Sequence, residues 1–159
     1  MSLWSLPMYV VLSETVHYLI ATSFFMIFLI AIGFNFTWHL LWWIPIFLVQ
    51  QLLAYALGIT CAILSVFIRD IKEVVGVVVQ LWFWLTPIVY VANILPIFIQ
   101  HLVAFNPFHH LVLAYRAALI TGQTPDMTAI GLLVLFSVAL LSVSIFVGRK
   151  LERDIRDFL

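Results

Sequence analysis

Charged residues are scarce in this chain of 159 residues, since only 9% are Asp, Glu, Lys or Arg and the formal net charge is zero. Because nucleic-acid binding depends on clustered positive charge, this balance gives no footprint for DNA or RNA. Cys61 is the only cysteine, which excludes a disulfide framework. Apolar side chains are in excess, at 65%, which is more than a soluble domain of this size can bury. The sequence therefore predicts a protein whose solvent is lipid.

Long apolar runs fill most of the chain, and a membrane-crossing helix needs about 20 such residues. The runs do not alternate apolar and polar residues as the strands of a membrane β-barrel do. We therefore predict an all-α fold, a polytopic helical membrane protein with one transmembrane domain and four spans. The second span is uncharged but contains Gln50 and Gln51. The predicted spans are residues 9–33, 43–66, 74–91 and 127–147.

A further apolar stretch, residues 94–120, is long enough to cross, but Asn106-Pro107 divides it into two pieces that are each too short. Basic residues favour the cytoplasmic side of a membrane. They follow the second span and recur in the tail, residues 148–159. These two basic sites share a side only if residues 94–120 enter the membrane and return. We therefore predict an outer re-entrant helical hairpin, which is a candidate gate, and two cytoplasmic chain ends.

Charges of both signs interrupt the apolar pattern in Phe67–Glu73, between the second and third spans. The 40 residues before Arg69 carry no charge of this kind, whereas Arg69, Asp70, Lys72 and Glu73 follow within five positions. One interpretation is a solvated cytoplasmic turn with local ion pairs. The other is a short interfacial helix that presents charge to a partner protein. An exposed pair spaced i, i+4, such as Arg69 and Glu73, contributes only about 0.3–0.5 kcal/mol, so stability alone does not explain the charges.

Two polar residues, Glu14 and His17, lie near the start of the first span and share a helix face with Tyr18. A carboxylate that faces lipid is costly, so Glu14 is expected to face the bundle interior or a cavity. One interpretation is a polar lining or a proton site. The other is a pair of hydrated side chains about one turn inside the membrane interface.

Aromatic residues make up 16% of the chain and occur in two groups. Residues 36–43, FTWHLLWW, are typical of the aromatic belt at a membrane interface. Trp82 and Trp84 lie instead in the body of the third span, where two positions on a helix face different sides. At least one of them is expected to meet protein or a transport pathway, although packing alone explains them about as well.

Motifs for catalysis, metal binding or ATP binding are absent from the sequence. His101, His109 and His110 have no Cys, Asp or Glu at ligand spacing, and adjacent histidines on a helix point about 100° apart. There is no Ser-His-Asp order and no phosphate-binding glycine loop. We therefore expect no catalytic residue, no metal and no bound cofactor in this chain.

Several short motifs follow one another in a distinctive order, and each is weak alone. They are FIRDI (67–71), WFWLTPIVY (82–90), Asn106-Pro107 and Tyr115-Arg116, followed by a last span with a basic tail. Together they resemble the membrane permease of bacterial exporters of O-antigen, capsule or teichoic acid, within the type-2 class of ATP-binding cassette (ABC) exporters. The resemblance runs from about residue 6 to the end. Members of that family are usually longer, so we expect the chain to lack an N-terminal third or more of the family's permease.

The resemblance implies a homodimer of permeases in the bacterial inner membrane, each above a nucleotide-binding ATPase subunit that holds the ATP. A lipid-linked glycan would pass between the two permeases, and the hairpin would be the outer gate. The residues implied in ATPase docking are Phe67, Arg69, Asp70, Lys72 and Glu73. Those implied in the gate or pathway are Trp82, Trp84, Tyr90, Asn106, Pro107, Tyr115 and Arg116.

Three other interpretations stay open at this point. A permease of the same class that exports a drug or a lipid fits the low charge equally well. An intramembrane enzyme would need polar groups at one depth, whereas the predicted topology puts Glu14 near the inner face and the histidines near the outer one. A passive scaffold or a truncated, non-transporting membrane fragment fits the short chain.

Overall fold

A computed structural model gives the fold and describes residues 5–68, 70–86 and 96–156. Over these residues the chain forms helices and no strand, so the predicted all-α class is confirmed for this part of the protein. The elements are α1 (Ser5–Ala31), a 3₁₀ turn (Trp38–Trp42), α2 (Trp43–Phe67), α3 (Ile71–Leu85), α4 (Ile97–Ala104), α5 (Pro107–Arg116), a π-helical turn (Ala117–Thr121) and α6 (Met127–Arg156).

Three segments of the described chain are long and apolar enough to cross a membrane. They are Leu6–Ala31, Trp38–Phe67 and Met127–Lys150, and they coincide with the predicted first, second and fourth spans. The predicted third span, 74–91, begins inside α3, which has 15 residues, and its positions 87–91 lie outside the described residues. The count of four spans therefore stays a prediction.

Helix α2 lies at the centre of the packing. Its buried residues recur every three or four positions, which is the spacing of one helix face, and that face packs mainly on α6. Part of it also contacts α5. The resulting buried cluster contains Ile46, Val49, Leu53, Leu111, Ala114, Ala118 and Leu133. One apolar stripe on α2 therefore holds both α5 and α6.

Small hydroxyl-bearing residues line the contact between α2 and α6. The hydroxyls of Thr60 and Ser144 lie 2.8 Å apart and form a hydrogen bond between the two helices. Ser137 is fully buried in α6, and its hydroxyl donates to the carbonyl of Leu133 at 2.7 Å. Small side chains let helix backbones approach closely in lipid, where hydrophobic attraction between helices is absent.

Gly122 shapes the link between α5 and α6. Its φ of 61° is a left-handed conformation that glycine adopts without steric cost. The N–H of Gln123 then donates to the carbonyl of Ala117 at 2.9 Å, which closes the π-helical turn. A Cβ atom at position 122 would lie 3.0 Å from Oγ1 of Thr37, just before the 3₁₀ turn. The α1–α2 and α5–α6 links therefore lie directly against each other.

Helices α4 and α5 are separated at the Asn106-Pro107 step. Helix α4 ends at Ala104, and Pro107 is the first residue of α5, where its missing N–H costs no helical hydrogen bond. The chain therefore has two short helices here rather than one long one. The insertion of this helix pair from the outer side of the membrane stays a prediction.

Candidate functional site

Asn106 joins the break between α4 and α5 to the end of α3. Only 2% of the residue is exposed, and its amide group makes three hydrogen bonds. Its Oδ1 accepts from the N–H of Phe108 at 3.0 Å, which caps α5. Its Nδ2 donates to Oγ1 of Thr86 at 2.9 Å and to the carbonyl of Trp82 at 3.2 Å. The residue therefore starts one helix and binds the end of another.

Thr86 is the partner of Asn106 at the end of α3, and it is only 3% exposed. It stands directly before Pro87 in the sequence, and helical backbone angles are disfavoured for a residue that precedes proline. Accordingly, its φ of −83° and ψ of 121° are extended, and α3 ends at Leu85. Its hydroxyl donates to the carbonyl of Trp82 at 2.7 Å while accepting from Asn106. One hydroxyl therefore serves both the helix end and the contact between elements.

The side chain of Trp82 extends this contact into the apolar surroundings. Its ring lies 5.5 Å from the ring of Phe108, at an interplanar angle of 52°. Tilted pairs at such distances are favourable because ring edges are positive and ring faces negative. We call Trp82, Thr86, Asn106 and Phe108 together the clamp. It attaches the carboxyl end of α3 to the amino end of α5.

A second group joins α1, α2 and α5. The hydroxyl of Tyr115 donates to Oε1 of Gln50 at 2.8 Å, and Nε1 of Trp43 donates to the hydroxyl of Tyr18 at 3.2 Å. The rings of Tyr18 and Trp43 both stack on Phe47, at centroid distances of 5.2 and 5.6 Å. We call these five residues the aromatic cluster. Four of them, Tyr18, Trp43, Gln50 and Tyr115, line a cavity of about 460 Å³ between the three helices.

The two tryptophans of α3 face different surroundings, because Trp82 is half-buried in the clamp and Trp84 is exposed. The predicted gate and pathway residues Trp82, Asn106 and Pro107 thus lie together at the clamp, and Tyr115 lies in the aromatic cluster. Arg116 is half-buried at the last position of α5. Tyr90 lies outside the described residues. The predicted gate and pathway residues therefore do not form one site: some lie at the clamp and Tyr115 lies in the aromatic cluster. The role of these residues in transport stays a prediction.

The predicted docking stretch lies between α2 and α3. Phe67 ends α2 and is exposed, as are Asp70, Lys72 and Glu73, whereas Arg69 lies outside the described residues. Asp70 occupies the cap position of α3, but its side chain makes no capping hydrogen bond. Its carboxylate therefore does not stabilise the helix start in the usual way and is presented at the surface.

Glu14 and His17 lie close together on α1, with Nδ1 of His17 3.8 Å from Oε2 of Glu14. Their side chains are 73% and 71% exposed within the single chain. Glu14, but not His17, lines a groove of about 870 Å³ between α1, α2 and α3 that also contains Gln50, Gln51 and Lys72. The groove therefore runs from the predicted polar lining to the docking stretch.

Candidate metal ligands are not clustered in the part of the chain that the structure describes. No three His, Cys, Asp or Glu side chains are grouped there as metal ligands would be. His109 and His110 contact each other edge to face, with ring centroids 5.5 Å apart, but no acidic side chain completes a site with them. His110 instead contacts the end of α4, where its Nε2 lies 2.8 Å from the carbonyl oxygen of Ala104.

Sequence reasoning missed Thr86, Phe47 and Phe108 among the members of these contacts, and it named Gln50 without a partner. Thr86 was not singled out, although its place before Pro87 marks a helix end, and Phe108 was read only as part of the hairpin. Gln50 is visible as a polar residue in an apolar span, but its partner Tyr115 is 65 positions away. A lone amide in a span is therefore a usable signal of an interhelical contact, whereas its partner is not visible in the sequence.

The family follows from comparison with known proteins. Residues 1–120 match the protein family described as "ABC-2 type transporter". This match includes α1 to α5, both contacts and the docking stretch. The chain belongs to the ABC-2 transporter membrane family.

Curated relatives match over almost the whole chain. Two proteins from Klebsiella pneumoniae, each called "O-antigen export system permease protein RfbA", are 24% and 25% identical over 155 residues, which is 97% of this chain. A protein of the same description from Myxococcus xanthus is 28% identical over 151 residues, or 92% of this chain. The chain spans about 60% of the length of these relatives.

Proposed function

We propose that this chain is a permease subunit of an ATP-driven ABC exporter that moves a lipid-linked polysaccharide across the bacterial inner membrane. The observation that carries this proposal is the match over more than nine-tenths of the chain to three proteins that are each described as O-antigen export permeases. That description favours a glycan over a drug or a simple lipid as cargo. The chain is a transporter membrane subunit rather than an enzyme.

The ATPase is a separate nucleotide-binding subunit that docks on Phe67–Glu73 from the cytoplasm and holds the ATP. Exposed charges of both signs in this stretch support the proposal, because the carboxylate at the start of α3 makes no capping bond there. The groove beside Lys72 and Glu14 gives the same surface an apolar floor. Recognition by a partner protein accounts for both features.

A second permease copy completes the pathway. Helix α1 contacts α2, but most of its apolar side chains and Glu14 are exposed in the single chain. A carboxylate in a span needs protein or water beside it rather than lipid. A homodimer with a hydrated glycan path between its halves supplies both.

Deletion of the gene in its own bacterium tests the cargo. We expect loss of the surface polysaccharide and accumulation of lipid-linked glycan inside, both reversed by the gene on a plasmid. Surface and inner-membrane fractions are compared on glycan-stained gels. A deletion strain that keeps its surface glycan but becomes sensitive to apolar drugs would contradict the proposal and favour drug export.

A further inference from the structure

Helix α3 connects the docking stretch, where the ATPase subunit would bind, to the clamp, which contacts the proposed gate. Its first residue, Ile71, follows Asp70 of the docking stretch, and its end carries Trp82 and Thr86 of the clamp. Fifteen helical residues span roughly 20 Å at the usual rise per residue. No break interrupts this helix between its two ends. A displacement of the docking stretch would therefore move the carboxyl end of α3 and the clamp with it.

The clamp holds the carboxyl end of α3 by buried hydrogen bonds. Asn106 and Thr86 are both almost fully buried, so a clamp bond that breaks leaves polar atoms without water to replace their partners. Separation of α3 from the start of α5 is costly for that reason. The carboxyl end of α3 and the α4–α5 break consequently move together rather than independently.

We infer that Thr86 is a positioning residue for the gate: through its hydrogen bond to Asn106, it makes the α4–α5 helix pair follow movements of α3. The inference rests on the proposed function for its meaning in transport, but not for the mechanical link itself. Thr86 acts through Asn106 and contacts no cargo. A simpler role, in which Thr86 only ends α3, predicts no effect on the gate.

Three substitutions separate these roles. Thr86→Val keeps the side-chain volume and removes the hydroxyl, whereas Thr86→Ser keeps the hydroxyl. Asn106→Ser keeps an oxygen that caps α5 but is too short to reach Thr86. Ser23→Ala is the matched control, because the hydroxyl of Ser23 makes the same type of bond to the carbonyl of Leu19, at 2.7 Å within α1.

The first experiment measures coupling in the complete permease–ATPase complex in lipid nanodiscs. A spin label is placed at Phe105→Cys, an 87% exposed position beside the clamp, after Cys61→Ala. We expect a non-hydrolysable ATP analogue to change the label's mobility in the parent and in Thr86→Ser and Ser23→Ala, but not in Thr86→Val or Asn106→Ser. An unchanged nucleotide response in Thr86→Val would overturn the inference. This readout does not depend on the cargo.

The second experiment measures glycan exported per ATP hydrolysed. We expect Thr86→Val and Asn106→Ser to lower this ratio about fivefold to tenfold, as for the loss of one buried hydrogen bond, with ATP hydrolysis retained. The double variant is expected to be no worse than either single one, because both remove the same bond. A proportional fall of hydrolysis and export would overturn the inference. A parent complex without glycan export would refute the proposed function instead, and the spin label would still decide the link.

Discussion

The hydroxyl of Tyr115 on α5 donates a hydrogen bond to Oε1 of Gln50 on α2, at 2.8 Å. The bond joins one half of the broken helix pair to the central helix of the bundle. In an apolar environment an amide in a span needs such a partner, since lipid offers none. The position of α5 is therefore determined by a polar contact as well as by the buried cluster around Leu53 and Leu111.

A double-mutant cycle on this pair measures that contact. We expect Tyr115→Phe and Gln50→Leu each to lower thermal stability in detergent, and their effects to be less than additive. The coupling free energy should be about 0.6 kcal/mol, which is typical of hydrogen bonds between membrane helices. Tyr9→Phe is the control, because Tyr9 is exposed on α1 and its loss of a hydroxyl should change little. Strictly additive effects would contradict the bond.

The hairpin predicts where three positions lie relative to the membrane. In a Cys61→Ala background, single cysteines replace Asp70, Gln123 and Lys150, all of which are exposed. If residues 94–120 enter and return, positions 70 and 150 react with an impermeant maleimide from the cytoplasmic side and position 123 from the outer side. Reaction of positions 70 and 150 from opposite sides would show that residues 94–120 cross the membrane completely.

Features that depend on neighbouring residues can be predicted from the sequence, whereas contacts between residues far apart in the chain cannot. The second span and the Asn106-Pro107 step depend on neighbouring residues, and the length of the apolar run and proline geometry predict both. The bond between Thr86 and Asn106 joins residues 20 positions apart, and helix packing decides such pairings. The predicted third span, 74–91, continues past Pro87, whereas helix α3 ends at Leu85, because the residue before a proline is disfavoured in helical backbone.

Charge reversal in the docking stretch should weaken the ATPase complex. We expect Asp70→Lys or Lys72→Glu to lower co-purification of the ATPase subunit about tenfold or more, because a like-charge contact in an interface costs several kcal/mol. The amount of permease in the membrane should stay the same, since neither side chain is buried. Lys150→Glu, an equally exposed reversal at the end of the last span, is the control. Normal ATPase binding by both variants would leave a solvated turn as the better account.

Asp126 should make the start of α6 sensitive to acid. Its Oδ1 accepts from the hydroxyl of Thr128 at 2.5 Å, from the N–H of Thr128 at 2.9 Å and from the N–H of Ala129 at 3.3 Å. These bonds, and the one from the hydroxyl above all, hold the pKa of Asp126 below its ordinary value of 3.8. A carboxyl with a lowered pKa in the folded state stabilises the fold above its unfolded pKa, and this stabilisation is lost as the pH falls through the folded pKa. We therefore expect unfolding in detergent to become easier below about pH 4.

Asp126→Asn separates this charge effect from capping. Asparagine caps a helix as well as aspartate does but does not titrate in this range. The variant should therefore resemble the parent at neutral pH and show a flatter dependence of melting temperature on acid. An acid dependence as steep as that of the parent would assign it to other carboxyl groups.

Export should require the planar guanidinium group of Arg116 and not only its positive charge. It is half-buried at the last position of α5, directly before the π-helical turn. Lysine keeps the positive charge, but it lacks the planar fork with which arginine binds a phosphate or carboxylate. We expect Arg116→Ala to lower surface glycan about tenfold or more, in line with the loss of a charge-assisted hydrogen bond, while immunoblots show normal permease in the membrane. Arg116→Lys should restore little of the export. Full export by the lysine variant would reduce the role of Arg116 to its positive charge, and full export by the alanine variant would remove Arg116 from the mechanism altogether.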